Sequence, residues 1–290
     1  MEKPKLGVWL WVLAFVVMVV AVVYQRRLGP TYPLKGNAQI AGQRLDYSLP
    51  RSAENTSDAR VVIPDPGQQA RVLWRHYPSQ DPQAPFTVVI MAPEEMGGKK
   101  ILTANIPPQE AATKIEYRLE IGNESLPNTG TVIMRFKGAV SATVLLLHIV
   151  LMFAAMLTST RAGLGAVFGA TEKVLPWVTL GLVLVGGIFF GALVAKTAFG
   201  TYWGGWPYGW DMTDNKTLLM FLAWLAACLL LPVAKARRIA LVAAAALTIA
   251  VYLIPHSLEE SAPSQQQDAI EAPHGENNGT VGNNDADAKQ

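Results

Sequence analysis

Cysteine is almost missing from this chain of 290 residues: there is one, Cys228, and it falls inside an apolar run. A disulfide framework and a cysteine-based metal centre are therefore excluded from the polar half. Charge is scarce as well, 16% of residues against about 25% in an average soluble domain. No phosphate-binding glycine loop, nucleophile elbow, paired-histidine zinc motif or dinucleotide fingerprint occurs. No catalytic constellation, and hence no familiar soluble enzyme, is expected. The basic residues form no stripe interleaved with aromatics, so nucleic acid is not an expected partner. No charged row crosses the apolar segments, as an ion pathway would need.

What the chain has instead is hydrophobicity, 51% of residues, gathered into five runs. These are Leu6–Tyr24, Val140–Leu157, Val174–Ala195, Leu218–Ala234 and Ile239–Ile254. Crossing a bilayer takes about 20 apolar residues, so five transmembrane helices are expected. Lys3 and Lys5 precede the first run, and Gln25, Arg26 and Arg27 follow it instead of a small-residue cleavage site, which predicts an uncleaved anchor. The stretch 158–173 carries Arg161 and Lys173, and Lys235–Arg238 is almost wholly basic. Basic short loops stay on the cytoplasmic side. The N-terminus is then cytoplasmic, while residues 29–138, the loop 196–216 and the C-terminus lie outside, with Arg26 and Arg27 the residues that run against the rule. A bacterial inner membrane is the expected location.

Four regions follow from this: an anchor over 1–28, an exported domain over 29–138, a four-helix membrane domain over 139–256 and a tail over 257–290. The tail sets seven acidic residues against Lys289 and has almost no large apolar side chains, so disorder is expected of it.

In the exported region the pattern shifts to short alternating runs between Pro, Gly, Asn and Asp. Seven strands are predicted: Ala38–Leu49, Arg60–Ile63, Ala70–His76, Phe86–Met91, Ile101–Ile106, Lys114–Ile121 and Thr131–Phe136. In Lys114–Ile121 the residues Ile115, Tyr117, Leu119 and Ile121 fall on one face. Short strands with turn signals between them predict an all-β sandwich. The stretch Ile101–Ile121 resembles the E-to-F corner of immunoglobulin-like and fibronectin-type domains, where a proline-bearing turn precedes a strand with an inward tyrosine, here Tyr117. Trp74, Arg75, His76 and Tyr77 form either a binding face or, with Trp74 in the core, a solvated strand end.

The most unusual segment is Phe199–Thr217, which sets Tyr202, Trp203, Trp206, Tyr208 and Trp210 among glycines, with Asp211 and Asp214 behind them. Two readings stand. Glycines let a backbone approach a flat ligand whose faces the rings cover; alternatively the rings are an interfacial belt, and Thr213 or Asp214 caps a helix beginning near Asn215. The run WGGWPYGWD is similar to the tryptophan-rich segment of haem-handling proteins of cytochrome c assembly. That resemblance implies haem as cofactor, held by the loop, with His256 and His148 as iron ligands. Independently, His148 shares a helix face with Met152 and Met156, which suits either metal ligation or hydrogen bonding to a neighbouring helix. His256 ends its helix at the interface, where a histidine also serves as a C-terminal cap. Gly181, Gly186, Gly187 and Gly191 suggest close helix packing. The pattern VIMRFKG, LLLHIVLMFAAMLTSTRAGL, TDNKT and VYLIPHS, in that order, resembles a group of multi-pass bacterial membrane proteins. The expected function is an accessory or assembly subunit of an envelope complex, with a protein partner; haem handling or electron transfer is the alternative.

Overall fold

The computed structural model describes residues 3–29, 31–79, 81, 83–169 and 173–254. Helix α1 (Lys3–Leu28) comes first, apolar around its whole circumference, as suits a helix with no wet face. The strands are β1 (Leu34–Ile40), β2 (Gln43–Leu49), β3 (Ser52–Glu54), β4 (Ala59–Pro64), β5 (Ala70–Tyr77), β6 (Thr87–Ile90), β7 (Ala92–Met96), β8 (Lys99–Ile106), β9 (Lys114–Ile121), β10 (Glu124–Leu126) and β11 (Val132–Lys137). Then come α2 (Ala142–Val167), α3 (Val174–Leu182), a π-helical segment (Val183–Phe190), α4 (Gly191–Phe199), α5 (Met212–Leu229) and α6 (Ala234–Leu253). His256 and the tail 257–290 lie outside the described residues.

The strand count differs from the seven predicted for definite reasons. Ala38–Leu49 is a hairpin, because Ala41 and Gly42 take φ of 50° and 77° and make the left-handed two-residue turn that strand twist favours. β3, β7 and β10 are too short or too polar to show alternation.

One sheet runs β3-β11-β9-β5-β6, with β10 also on β9; a second runs β4-β8-β7; β1 and β2 pair with each other. β3 joins β11 in parallel, and the other pairings are antiparallel. The chain passes from the first sheet to the second through Met91 alone, between β6 and β7. β9 carries the expected inward face: Ile115, Tyr117, Leu119 and Ile121 are wholly buried, among Trp74, Ile63, Ile106 and Phe136. Each such side chain stabilises by roughly 1.5–3 kcal/mol through burial. The Tyr117 hydroxyl donates to Pro50 O at 2.8 Å, which satisfies the one polar atom that the ring takes inside. Its neighbour Glu116 is buried too, on the opposite face, where Arg75 (2.6 Å) and the Thr131 hydroxyl (2.8 Å) meet its carboxylate. Trp74 is therefore core and Arg75 a structural ion pair, so residues 74–77 do not form one face.

In the helical half α2 is central, packed against α1, α3, the π-helical segment and α6. Small residues allow this. A Cβ on Gly163 would collide with the Ala245 side chain of α6, and one on Gly186 would lie 2.6 Å from Leu151 Cβ. Gly181, by contrast, has nothing within 4 Å of its Cβ position. Hydroxyls clasp the helices: Thr179 to Thr158 at 2.9 Å, and Trp224 Nε1 to Thr248 at 2.9 Å.

Among the described residues four helices are long and apolar enough to cross a membrane: Gly7–Arg27, Ala142–Val167, Val174–Phe199 and Ala234–Leu253. α5 has 18 residues but opens with Asp214 and Lys216 in its first turns, so its apolar stretch from Leu218 to Leu229 spans only about 18 Å.

One expectation is overturned. Residues 158–173 are not a loop from Thr158 onward: α2 stays helical through Val167, and Arg161 is 2% exposed inside the bundle, its guanidinium 5.5 Å from the Trp11 ring centre. Helix continues past the apolar run because the small hydroxyl residues there fit a close-packed centre, Thr158 bonding back to Ala154 O at 2.9 Å.

Candidate functional site

The tryptophan-rich loop starts where α4 is stopped by Gly200, at φ 83°, whose N–H donates to Lys196 O at 3.0 Å. Only glycine takes this left-handed cap without strain. Lys196 closes over the turn, its ammonium 2.8 Å from Gly200 O and 5.3 Å from the centre of the Tyr202 ring.

From there the backbone is pinned to the start of α5. Asp211, not Thr213 or Asp214, is the N-cap; one of its carboxylate oxygens accepts from Thr213 N at 2.9 Å and from Asp214 N at 3.0 Å. The helix therefore begins at Met212, three residues before the expected start. Asp214 Oδ2 accepts from Gly204 N at 2.6 Å, and Asn215 Oδ1 from Trp206 N at 2.7 Å. Asp211 N donates to Gly204 O at 2.9 Å, and Tyr208 N and Gly209 N both reach Gly205 O at 3.0 Å. Trp203 Nε1 donates to Trp206 O at 3.1 Å, which holds that indole, half-buried, against its own loop. Asp214 stands ahead of the apolar stretch of α5. Partial burial is the largest influence on its carboxyl and raises its pKa, against the pull of the Gly204 and Gly205 backbone.

The glycines serve the packing of the loop itself. A Cβ on Gly205 would lie 2.8 Å from Asp214 Cβ, and one on Gly209 would collide with Gly204 O. Their bareness lets the loop close on the start of α5. Asp211 and Asp214 likewise direct their acceptors at backbone amides of the same loop.

With the backbone fixed inward, the remaining rings face out. Trp206 is 61% exposed, Tyr208 85% and Trp210 87%, with Tyr202 exposed beside Lys196. Exposed aromatic clusters of this kind mark interaction sites. The β-rich region meets the same end of the bundle: Gly138 N donates to Ala198 O at 2.9 Å, and the Arg135 guanidinium lies 5.8 Å from the Phe199 ring centre.

His148 is placed elsewhere. Its Nδ1 lies 2.8 Å from Gly186 O in the π-helical segment, and its ring packs 3.6 Å from the Cβ position of Gly191. Met152 Sδ sits 3.3 Å from the Cβ position of Gly187, and Met156 is fully buried. The His148 face is thus turned onto a neighbouring helix and joins none of the loop's contacts. Among the described residues no group of three His, Cys, Asp or Glu side chains is set to hold a metal ion.

Sequence reasoning missed the role of Asn215; Lys216, a cation of the loop by sequence, donates from its ammonium to Ile254 O at 3.0 Å and ties α5 to the end of α6. A signal for Asn215 exists: an asparagine in a first helical turn favours local backbone bonds over the helix.

No family model, no curated protein and no solved structure matches the chain.

Proposed function

We propose that the protein is an integral membrane accessory or assembly subunit of a cell-envelope complex, docking a protein partner through its β-rich region and the tryptophan-rich loop. The observation that carries this reading is the outward display of Trp206, Tyr208 and Trp210 on a backbone tied down by Asp211, Asp214 and Asn215. A rigid frame loses little conformational freedom on binding, and large amphipathic rings are what interface centres use.

In this reading α5 is a fifth, short span, its polar first turns in the interface and its apolar part tilted or in locally thinned lipid. The basic Lys235–Arg238 then lies in the cytoplasm, and the β-rich region and loop lie together on the outer side of a bacterial inner membrane. An immunoglobulin-like sandwich is supported by the two-sheet order, the parallel β3 on β11 and the buried Tyr117.

The test is purification of the full chain in mild detergent, beside a variant with Trp206, Tyr208 and Trp210 changed to Ala. A defined subunit at fixed stoichiometry, absent from the variant, is expected. A solitary chain from both preparations would overturn the reading. Haem handling, the alternative, would use His148 through Nε2, since its Nδ1 is engaged by Gly186 O.

A further inference from the structure

β6 is the outer strand of the larger sheet, and among the described residues it pairs only with β5. Proteins ordinarily guard such edges with charge or proline, because an unpaired row of N–H and C=O groups accepts a further strand. Two other edges here are guarded. β3 is three residues long and ends in Glu54, and β7 carries Pro93, Glu94 and Glu95. β6 reads Thr-Val-Val-Ile, with neither charge nor proline.

The bonding on its closed side fixes what is free on the open one. Met91 N donates to Ala70 O at 2.9 Å, toward β5. Alternation along the strand then turns the N–H and C=O of Val88 and Ile90 outward, at the open edge. Their side chains are uncovered as well, at 50% and 65% exposure. Register sets Ile90 in a row with Arg71 and Glu120, and Val88 in a row with Leu73 and Arg118. Phe86 extends the apolar series on the same face, its ring centre 4.4 Å from the Arg75 guanidinium and 5.2 Å from that of Arg118. A strand with one wet face normally puts polar residues there. This one puts Phe86, Val88 and Ile90.

The backbone dictates the class of occupant, since only an extended chain offers donors and acceptors at the matching spacing. The side chains narrow it further. Arg71, in the row of Ile90, and Arg118, in the row of Val88, share the single carboxylate of Glu120, at 2.7 Å and 3.1 Å, so the two rows together carry one positive charge in excess. We propose that β6 is a docking strand, to which an extended segment of a partner polypeptide adds as the next strand, with apolar and acidic side chains beside Val88 and Ile90. The proposal rests on the accessory-subunit reading for the existence of that partner.

The test uses the full chain in detergent and a synthetic peptide alternating threonine with valine, isoleucine and glutamate. Hydrogen exchange should slow at Val88 and Ile90 when the peptide is added. Val88→Pro removes an outward N–H without touching the β5 ladder and should weaken binding about tenfold, as loss of one edge hydrogen bond would. Val88→Lys, which leaves the backbone intact, should do the same if the proline variant fails to fold. A glutamate-to-lysine peptide should bind more weakly than its parent. Unchanged exchange at both residues, or binding that survives both substitutions, overturns the proposal. So does protection without peptide that grows with protein concentration, which would assign the edge to a second copy. The two readings fail separately: a subunit that still co-purifies with Val88→Lys sinks the docking strand alone, whereas peptide binding by a chain without any such subunit sinks the accessory reading alone.

Discussion

The amide of Gly138, just past the last strand, donates to the carbonyl of Ala198, in the last turn of α4. The two residues belong to different halves of the molecule, and the bond makes the foot of the β-rich region continuous with the start of the aromatic loop. Any movement of one half is felt at the other.

Gly138→Ala tests that joint. A Cβ there would collide with Thr197 O, and backbone cannot swing aside as a flexible side chain can. The expected cost is about 1–3 kcal/mol, as for overpacking elsewhere. Thermal unfolding of the detergent-purified protein should shift down, with protease cleavage gained near residues 138–142.

Asp211→Ala removes a cap that accepts two amides. A loss of about 1 kcal/mol is expected, and appreciably less for Asp211→Asn, which retains an accepting oxygen. Tryptophan fluorescence should report the looser loop, and partner binding should fall even though no exposed ring has been altered.

Tyr117 makes stability fall in alkali. Burial holds its phenol well above the usual 10.0, with Arg51 pulling the other way. Above the ordinary phenol pKa the unfolded chain loses this proton while the folded chain keeps it, so stability drops as pH rises from about 10 toward the raised value. Near-ultraviolet circular dichroism should show the β-rich region unfolding earlier in wild type than the slope for Tyr117→Phe extrapolates. That variant loses the pH dependence, and about 1 kcal/mol with the bond to Pro50 O.

His148→Leu leaves Gly186 O without its imidazole donor and should cost on the order of 1 kcal/mol, while His148→Asn, still a donor, should recover part of it. Melting in detergent measures both. A haem absorbance band in the wild-type protein that vanishes in His148→Leu would instead return this residue to the iron-ligand role.

The alternation in Lys114–Ile121 was fully legible, because period two forces four apolar residues onto one face whatever the neighbours are. The Ala38–Leu49 hairpin was half legible: its turn depends on Ala41 taking a left-handed conformation that alanine rarely adopts. Arg161 was misread because a basic residue near the end of an apolar run has two solutions, a wet loop or a close-packed helix centre. Only the packing of α2 on its neighbours, Trp11 beside Arg161 and Thr179 on Thr158, decides between them.

At the site, the aromatic content and its glycines were plain in the chain, but their division of labour was not. Gly204, Gly205 and Gly209 are written alike whether they admit a ligand or a helix end.

By itself, the order of residues determined the apolar helices, the β-rich region between them and the loop crowded with rings, since all of these follow from local periodicity and composition. The tertiary structure alone decided that Asp211, Asp214 and Asn215 face inward to backbone amides, that His148 meets Gly186, and that Val88 and Ile90 stand on an open edge. Each of those is a meeting of groups set by the packing of whole elements, and a one-dimensional pattern carries the reach of a side chain but not the direction from which its partner arrives.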